Sequence, residues 1–146
     1  MRWLILTFFL LTAPASQAQQ QGWGDLDTLL LQTLSPTGDM VSSFWMPDHQ
    51  DPAAARHALA IIYSHIPGSA GNVSIHSGLF ERTSSGWSLR QQVTGLFGQS
   101  PSDPKHLPDR IEVTTATLGP NDPRCCPTQS TRWWIDPRTG AAHPSN

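Results

Sequence analysis

The two cysteines of this 146-residue chain are neighbours, Cys125 and Cys126, and they lie in the stretch GPNDPRCCPTQSTRWW at 119–134. Adjacent thiols can close a vicinal disulfide, exchange with other thiols or bind a soft metal ion. Consecutive Cα atoms lie about 3.8 Å apart across a trans peptide, whereas an ordinary disulfide needs about 4.4–6.8 Å. A bond within this pair would therefore be strained and more easily reduced than an ordinary disulfide. Since it encloses no chain segment, its effect would be local, as a rigid turn or a switch.

The residues around the pair predict a stiff loop. Pro127 pushes Cys126 toward extended conformations, and Asn121-Asp122 favours a turn. Arg124 places a cation beside the two thiols, which favours the thiolate form. We therefore take Asp122, Arg124 and Pro127 as the supporting loop of a candidate disulfide or redox site at Cys125 and Cys126.

Four states of the pair remain open, of which the vicinal disulfide is favoured. The alternatives are two reduced thiols packed as small apolar groups, a redox or soft-metal role with Cu(I) or Zn(II), and disulfides to another molecule. The chain has no CxxC pattern, and its histidines form no HxH or HExxH pattern. We therefore predict no metal site and no cofactor.

Other residue patterns do not predict a catalytic site. The chain has no GxSxG nucleophile motif, and its acidic residues show no paired spacing of the kind used for glycoside hydrolysis. The sequence therefore favours a protein that is not an enzyme and acts as a binding or envelope-associated module. A thiol-redox or soft-metal-responsive module is the alternative, and a hydrolase is the least favoured class.

The N-terminal residues 1–18 have the features of a cleaved secretory signal peptide. Arg2 gives a positive start, an apolar run follows from Trp3 to Leu11, and a small residue stands at the expected cleavage point, Ala18. This run of about ten residues is too short for a transmembrane helix, which needs about 20. We expect a periplasmic or secreted protein with no transmembrane segment after cleavage.

Acidic residues outnumber basic ones, which gives no reason to expect nucleic acid or an anionic membrane as a partner. An envelope protein or a small-molecule ligand remains a candidate partner.

The segments after the signal peptide predict first helix and then strand. A leucine stripe with the 3.6-residue period predicts a short helix capped by Asp25: Leu26, Leu29, Leu30 and Leu34. Asp51-Pro52 could begin a second short helix. The apolar run Ala58–Ile66 favours a buried strand, although periodicity alone does not exclude a helix.

Further along, the pattern of alternating residues predicts strands. Val73, Ile75 and Leu79 share one predicted face, as do Trp87, Leu89 and Val93, and as do Ile111 and Val113. A last strand is expected at Thr131–Asp136, so that the cysteine pair lies between two strands of a hairpin, 111–118 and 131–136. The Pro- and Gly-rich stretch 95–108 is expected to be a long loop.

These elements predict the α+β class, with an antiparallel sheet of about five strands and one or two N-terminal helices packed on it. The expected organisation is a single domain over 19–140, followed by a flexible tail at 141–146.

The element around the cysteines resembles a known family. The residues Asp122, Cys125, Cys126, Pro127 and Thr128 match an Asp-x-x-Cys-Cys-Pro-Ser/Thr element. This element is similar to one found in small uncharacterised exported bacterial proteins, including the LppP/LprE lipoprotein group. The resemblance implies export and a β-rich domain, but no activity. The chain lacks the lipobox cysteine of the lipoprotein members, so the resemblance implies no lipid anchor.

Overall fold

The structure is a computed structural model that describes residues 22–145, so the predicted signal peptide 1–18 lies outside the described residues. The described chain forms one helix and eight strands. The elements are α1 (Leu26–Leu34), β1 (Ser42–Pro47), β2 (His57–His65), β3 (Val73–Thr83), β4 (Gly86–Val93), β5 (Gln99–His106), β6 (Ile111–Thr117), β7 (Gln129–Ile135) and β8 (Ala142–Pro144).

The strands form two antiparallel four-stranded sheets, in the orders β1-β2-β3-β4 and β5-β6-β7-β8. Side chains of both sheets meet in one inter-sheet core, while α1 packs on the outer face of the first sheet. The prediction of an α+β fold with about five strands in one sheet and one or two helices is therefore wrong. The strand periodicity shows which segments are extended, but pairing between distant strands decides how many sheets they form.

β2 is an inner strand of the first sheet and is buried on both faces. Leu59, Ile61 and Tyr63 face the inter-sheet core, while Ala60 and Ile62 face α1. Because both of its faces are covered, the strand reads as a continuous apolar run rather than an alternating one. This resolves the helix-or-strand alternative for Ala58–Ile66 in favour of a strand.

α1 begins where the leucine pattern predicts. The Asp25 carboxylate caps it by accepting from the backbone N–H of Thr28 at 3.1 Å and from its hydroxyl at 2.7 Å. Leu30 and Leu34 are buried against the first sheet. The second helix at Asp51-Pro52 does not form, and that segment is a turn between β1 and β2.

β5 occupies most of the stretch that was expected to be a loop. It contains Pro101 and Pro104, and its pairing with β6 shifts register twice, near Ser100 and Asp103, which both have a φ of 49°. A proline is tolerated in an edge strand and at bulges, because its missing N–H then interrupts no central ladder. β5 is such an edge strand.

β4 contains a bulge that changes which residues share a face. Its pairing with β3 skips Arg90. Trp87 and Leu89, before the bulge, pack on the α1 side of the sheet, whereas Val93, after it, joins the inter-sheet core. The prediction that these three residues share one face is therefore wrong, because one inserted residue inverts the alternation.

The C-terminal residues also differ from the expected tail at 141–146. Ala142–Pro144 pairs with β7 as strand β8, and the Ala142 side chain is buried. The N–H of Ala142 also donates to the carbonyl of Thr94 at 2.8 Å, which ties β8 to the end of β4. Among residues 22–145, no helix is long and apolar enough to cross a membrane.

Candidate ligand-binding cleft at the Cys125–Cys126 loop

The cysteine pair lies in the connection between β6 and β7, as the hairpin prediction requires. These strands pair in regular register from Ile111 opposite Ile135 to Thr117 opposite Gln129. The connecting residues 118–128 are called the Cys loop below. Because both of its ends continue directly into paired strands, the second sheet determines where the Cys loop lies.

The Asp122 carboxylate holds the two ends of the Cys loop together. It accepts hydrogen bonds from the backbone N–H of Gly119 at 2.8 Å, from the backbone N–H of Thr128 at 2.6 Å and from the Thr128 hydroxyl at 2.8 Å. This set of bonds is called the Asp122 clasp. The bond from Gly119, followed by those from Thr128, lowers the pKa of Asp122, because each stabilises the ionised carboxylate.

Inside the clasp, residues 123–127 form the loop tip. The N–H of Cys126 donates to the carbonyl of Pro123 at 2.9 Å, which closes a turn. The Sγ atoms of Cys125 and Cys126 lie at disulfide distance, and the two Cα atoms are 3.8 Å apart. Both cysteines are exposed to solvent.

The loop tip forms one wall of a cleft of about 530 Å³, called the Cys-loop cleft. This cleft lies at the end of the two sheets where β2 and β6 end and where β3 and β5 begin. The large apolar side chains that line it come from the start of β3, from the residues just before β5 and from the Cys loop: Val73, Ile75, Phe97, Leu118 and Pro127. Phe97 is 62% exposed and Leu118 is 51% exposed, so two large apolar groups face solvent at this site.

Two titratable side chains line the Cys-loop cleft, Tyr63 and Arg124, and its other polar side chains are Ser74, Gln99 and Thr117. The Tyr63 hydroxyl donates to the carbonyl of Gly98 at 2.9 Å, and burial raises the pKa of Tyr63 to about 12, so this group is neutral at physiological pH. Arg124 is the charged residue of the lining, and the arginine ion pairs among residues 22–145 do not include it. The cleft therefore offers an apolar surface and one available cation.

A buried hydrogen-bond network lies next to the cleft residues Phe97 and Gly98. The Thr115 hydroxyl accepts from the indole N–H of Trp133 at 2.8 Å and donates to the carbonyl of Phe97 at 2.7 Å. The Trp133 and Phe97 rings pack edge to face with centroids 6.0 Å apart. Gly98 has a φ of +102° and passes so close to Thr115 that a side chain would not fit. These contacts fix the backbone at Phe97 and Gly98.

The structure separates the roles of the residues that were predicted to form the site. Arg124 and Pro127 line the cleft, whereas Asp122 does not line it and holds the loop. Sequence reasoning missed Tyr63 and Phe97, which lie far from the cysteines in the chain. The signal available for Phe97 was an aromatic residue within the GLFG stretch at 95–98, where glycines let the backbone approach a neighbouring strand.

A second cleft, of about 520 Å³, lies at the opposite end of the sheets and has mixed charges. Within it, Nδ1 of His57 lies 3.2 Å from the Asp48 carboxylate, and Arg90, His106 and Arg138 complete the set of titratable groups. Within residues 22–145, no three His, Cys, Asp or Glu side chains are grouped so that they could hold a metal ion.

Comparisons of the chain with protein-family models, with curated proteins and with solved structures found no match.

Proposed function

We propose that this protein is an exported, non-enzymatic binding module whose Cys-loop cleft takes a small ligand with an apolar body and an anionic group. The observation that carries this proposal is the combination of a mostly apolar lining with Arg124 as its charged residue. Export to the periplasm or the outside of the cell rests on the sequence of residues 1–18.

The size and lining of the cleft support a small molecule rather than a large partner. Ligand pockets have volumes of about 300–1,000 Å³ and are lined mainly by apolar and aromatic groups with a few polar ones. The Cys-loop cleft, at about 530 Å³, lies within this range. Burying apolar ligand surface against Ile75, Phe97 and Leu118 gives about 25 cal/mol per Å², so a body that buries about 200 Å² gains about 5 kcal/mol before the costs of association.

Arg124 determines the polar end of the proposed ligand. A guanidinium presents several N–H donors in a plane and binds carboxylate, sulfonate or phosphate oxygens with two parallel hydrogen bonds. Its neighbours Pro123 and Cys125 belong to the loop tip, which the Asp122 clasp holds in place. The ligand class that fits is therefore an amphipathic acid, with its apolar body between the sheets and its anionic group at the loop tip.

Two fluorescent probes of nearly the same shape test this assignment. 1-Anilinonaphthalene-8-sulfonate (ANS) carries an anionic group, and N-phenyl-1-naphthylamine (NPN) is its neutral counterpart. We expect both to bind the folded chain, with ANS bound more tightly. Arg124→Gln should weaken ANS binding about tenfold, which corresponds to losing about 1.4 kcal/mol, and should leave NPN binding unchanged. Leu118→Asn should weaken the binding of both probes, since it removes apolar contact.

The matched control is Arg138→Gln, which removes an 86% exposed arginine at the second cleft. It should change neither affinity. If Arg124→Gln and Arg138→Gln weaken ANS binding equally, the probe responds to overall charge, and the assignment of the anionic end to Arg124 is wrong. If neither probe binds the native chain, the proposed function itself is wrong.

Export has its own test. Expression of the full chain in a bacterium should yield a product in the periplasm or the medium whose mass corresponds to residues 19–146. A product that keeps residues 1–18 and remains in the cytoplasm would contradict the export part of the proposal.

A further inference from the structure

We propose that the Cys125–Cys126 pair at the loop tip is a thiol–disulfide exchange site, and that its reduction by a dithiol weakens ligand binding in the Cys-loop cleft. This inference rests on the proposed function, because the ligand is the one that the cleft would bind. It adds a reactive partner, a dithiol, and a reason for placing the two cysteines next to Arg124.

The pair is positioned for reaction rather than for stabilising the fold. Both cysteines are exposed, so a thiol in solution can reach their sulfur atoms. The bond joins adjacent residues and encloses no chain segment, so the constraint that it places on the unfolded chain is negligible. Opening it therefore removes little of the free energy of unfolding.

The surrounding contacts confine any change to the loop tip. The Asp122 clasp joins residues 119, 122 and 128 without using either cysteine. The β6–β7 pairing up to Thr117 and Gln129 is likewise independent of the pair. Reduction thus leaves the base of the Cys loop fixed and releases residues 123–127. Within these five residues, the hydrogen bond that remains joins the Cys126 N–H to the Pro123 carbonyl.

Two of the residues that reduction releases line the Cys-loop cleft. Arg124 directly precedes the pair and Pro127 directly follows it, and both line the cleft. With the bond closed, the small ring restricts the backbone between Arg124 and Pro127, and so restricts where these two residues can lie. With the bond open, the tip gains backbone freedom, and part of the binding free energy is spent on ordering it again when a ligand binds.

The exchange reaction balances as a two-electron step. A thiolate of the dithiol attacks one Sγ, the bond between the cysteines breaks, and the other cysteine leaves as a thiolate that takes up a proton. The second thiol of the dithiol then displaces the first cysteine from the mixed disulfide. The products are two cysteine thiols and one cyclic disulfide of the reductant. The Arg124 cation lies next to the departing thiolate in the chain and favours its formation.

Coupling between the ligand and the bond must be reciprocal. If the oxidised chain binds a ligand tenfold more tightly than the reduced chain, saturating ligand makes the bond harder to reduce by the same factor. For a two-electron couple, a tenfold factor lowers the reduction potential by about 30 mV. The same contacts therefore give two independent readouts, one in affinity and one in potential.

The test uses the mature full chain in oxidised and reduced form. Mild dithiothreitol, without denaturant, should convert the pair to two alkylatable thiols while the circular dichroism spectrum stays native. ANS should bind the reduced chain about tenfold more weakly than the oxidised chain. Equilibration in redox buffers, with thiols counted by mass spectrometry after alkylation, should give a potential about 30 mV lower when ANS is saturating.

A Cys125→Ser/Cys126→Ser double variant provides a second route to the open loop and should bind ANS like the reduced wild type. The inference is overturned if the pair resists dithiothreitol in the native state, or if oxidised and reduced chains bind ANS equally. Equal binding that is still weakened by Arg124→Gln would overturn the switch alone. Failure of the oxidised chain to bind ANS or NPN would overturn the proposed function and, with it, this inference.

Discussion

Replacing Thr115 with valine tests the network that supports the Cys-loop cleft. Thr115 is 1% exposed, and its hydroxyl joins the indole N–H of Trp133 to the carbonyl of Phe97. Valine has nearly the same shape but neither donates nor accepts a hydrogen bond. The substitution therefore leaves two polar groups without their partner and changes little else in the packing.

The magnitude follows from where those two groups lie. Trp133 is 6% exposed, so its stranded N–H keeps most of the penalty for an unpaired buried donor, about 1–3 kcal/mol. The Phe97 carbonyl also loses its donor, which adds about 1 kcal/mol, the typical net contribution of one hydrogen bond. The added methyl returns less than about 1 kcal/mol of apolar burial. The expected loss in free energy of unfolding is about 2 kcal/mol.

Urea unfolding, followed by tryptophan fluorescence, measures this loss as a lower midpoint with an unchanged slope. The matched control is Thr114→Val on the same strand, where the side chain lies on the outer face of the second sheet and the change should stay within about 0.5 kcal/mol. If Thr115→Val is no more destabilising than Thr114→Val, the Trp133–Thr115–Phe97 network does not contribute to stability and the reasoning is wrong.

Three further substitutions test the fold by the same urea assay. Gly98→Ala should be more destabilising than Gly71→Ala: both glycines have a positive φ, but a Cβ at Gly98 would lie 2.7 Å from the carbonyl oxygen of Ala116, whereas the one at Gly71 would enter open space. Hydrogen bonds from Thr37 and then from the His65 N–H lower the pKa of Asp39 from 3.8 to about 2. The ionised Asp39 carboxylate therefore contributes fully to stability above about pH 4, and this contribution is lost as the pH falls through about 2. Asp39→Asn should flatten that part of the profile of stability against pH, and an unchanged profile would refute this. Leu30→Ala should cost about 2–5 kcal/mol, because the 1% exposed side chain anchors α1 on the first sheet; a loss below 1 kcal/mol would mean that α1 is not docked there.

The sequence predicted local structure well where one segment decides it. The leucine period and the Asp25 cap located α1, and the β-branched apolar run located β2. The hairpin that carries the cysteine pair was also predicted, because its two strands are close in sequence and a turn-rich stretch separates them. In each case the information lies within one element or within two elements that follow each other in the chain.

The arrangement of strands into sheets could not be predicted in this way. β5 contains two prolines, which argue against a strand, and it is extended only because β6 offers an edge on which its irregular backbone can pair. The bulge at Arg90 is set by the register between β3 and β4, and no local pattern marks it. Both features depend on partners that are distant in sequence or on one inserted residue.

The candidate site was likewise predicted only in part. The Cys loop was identified from its residue types, since adjacent cysteines flanked by prolines are unusual. The cleft was not, because Tyr63, Phe97 and Leu118 come together only when the ends of the two sheets meet. A loop of unusual composition can thus be recognised in a sequence, whereas the cleft beside it depends on packing between distant segments.

The spacing of the Asp-x-x-Cys-Cys-Pro-Thr element has a physical explanation in the Asp122 clasp. The carboxylate reaches forward to both donors of Thr128, six residues later, and back to the N–H of Gly119. The base of the loop is therefore closed by hydrogen bonds, and only the tip is closed by a covalent bond between the cysteines. If the cysteines alone closed the loop, reducing them would free the whole connection from β6 to β7. With the clasp in place, a change at the two sulfur atoms is limited to the five residues that carry Arg124 and Pro127 into the cleft, and this makes a reversible reaction at the tip compatible with a stable fold.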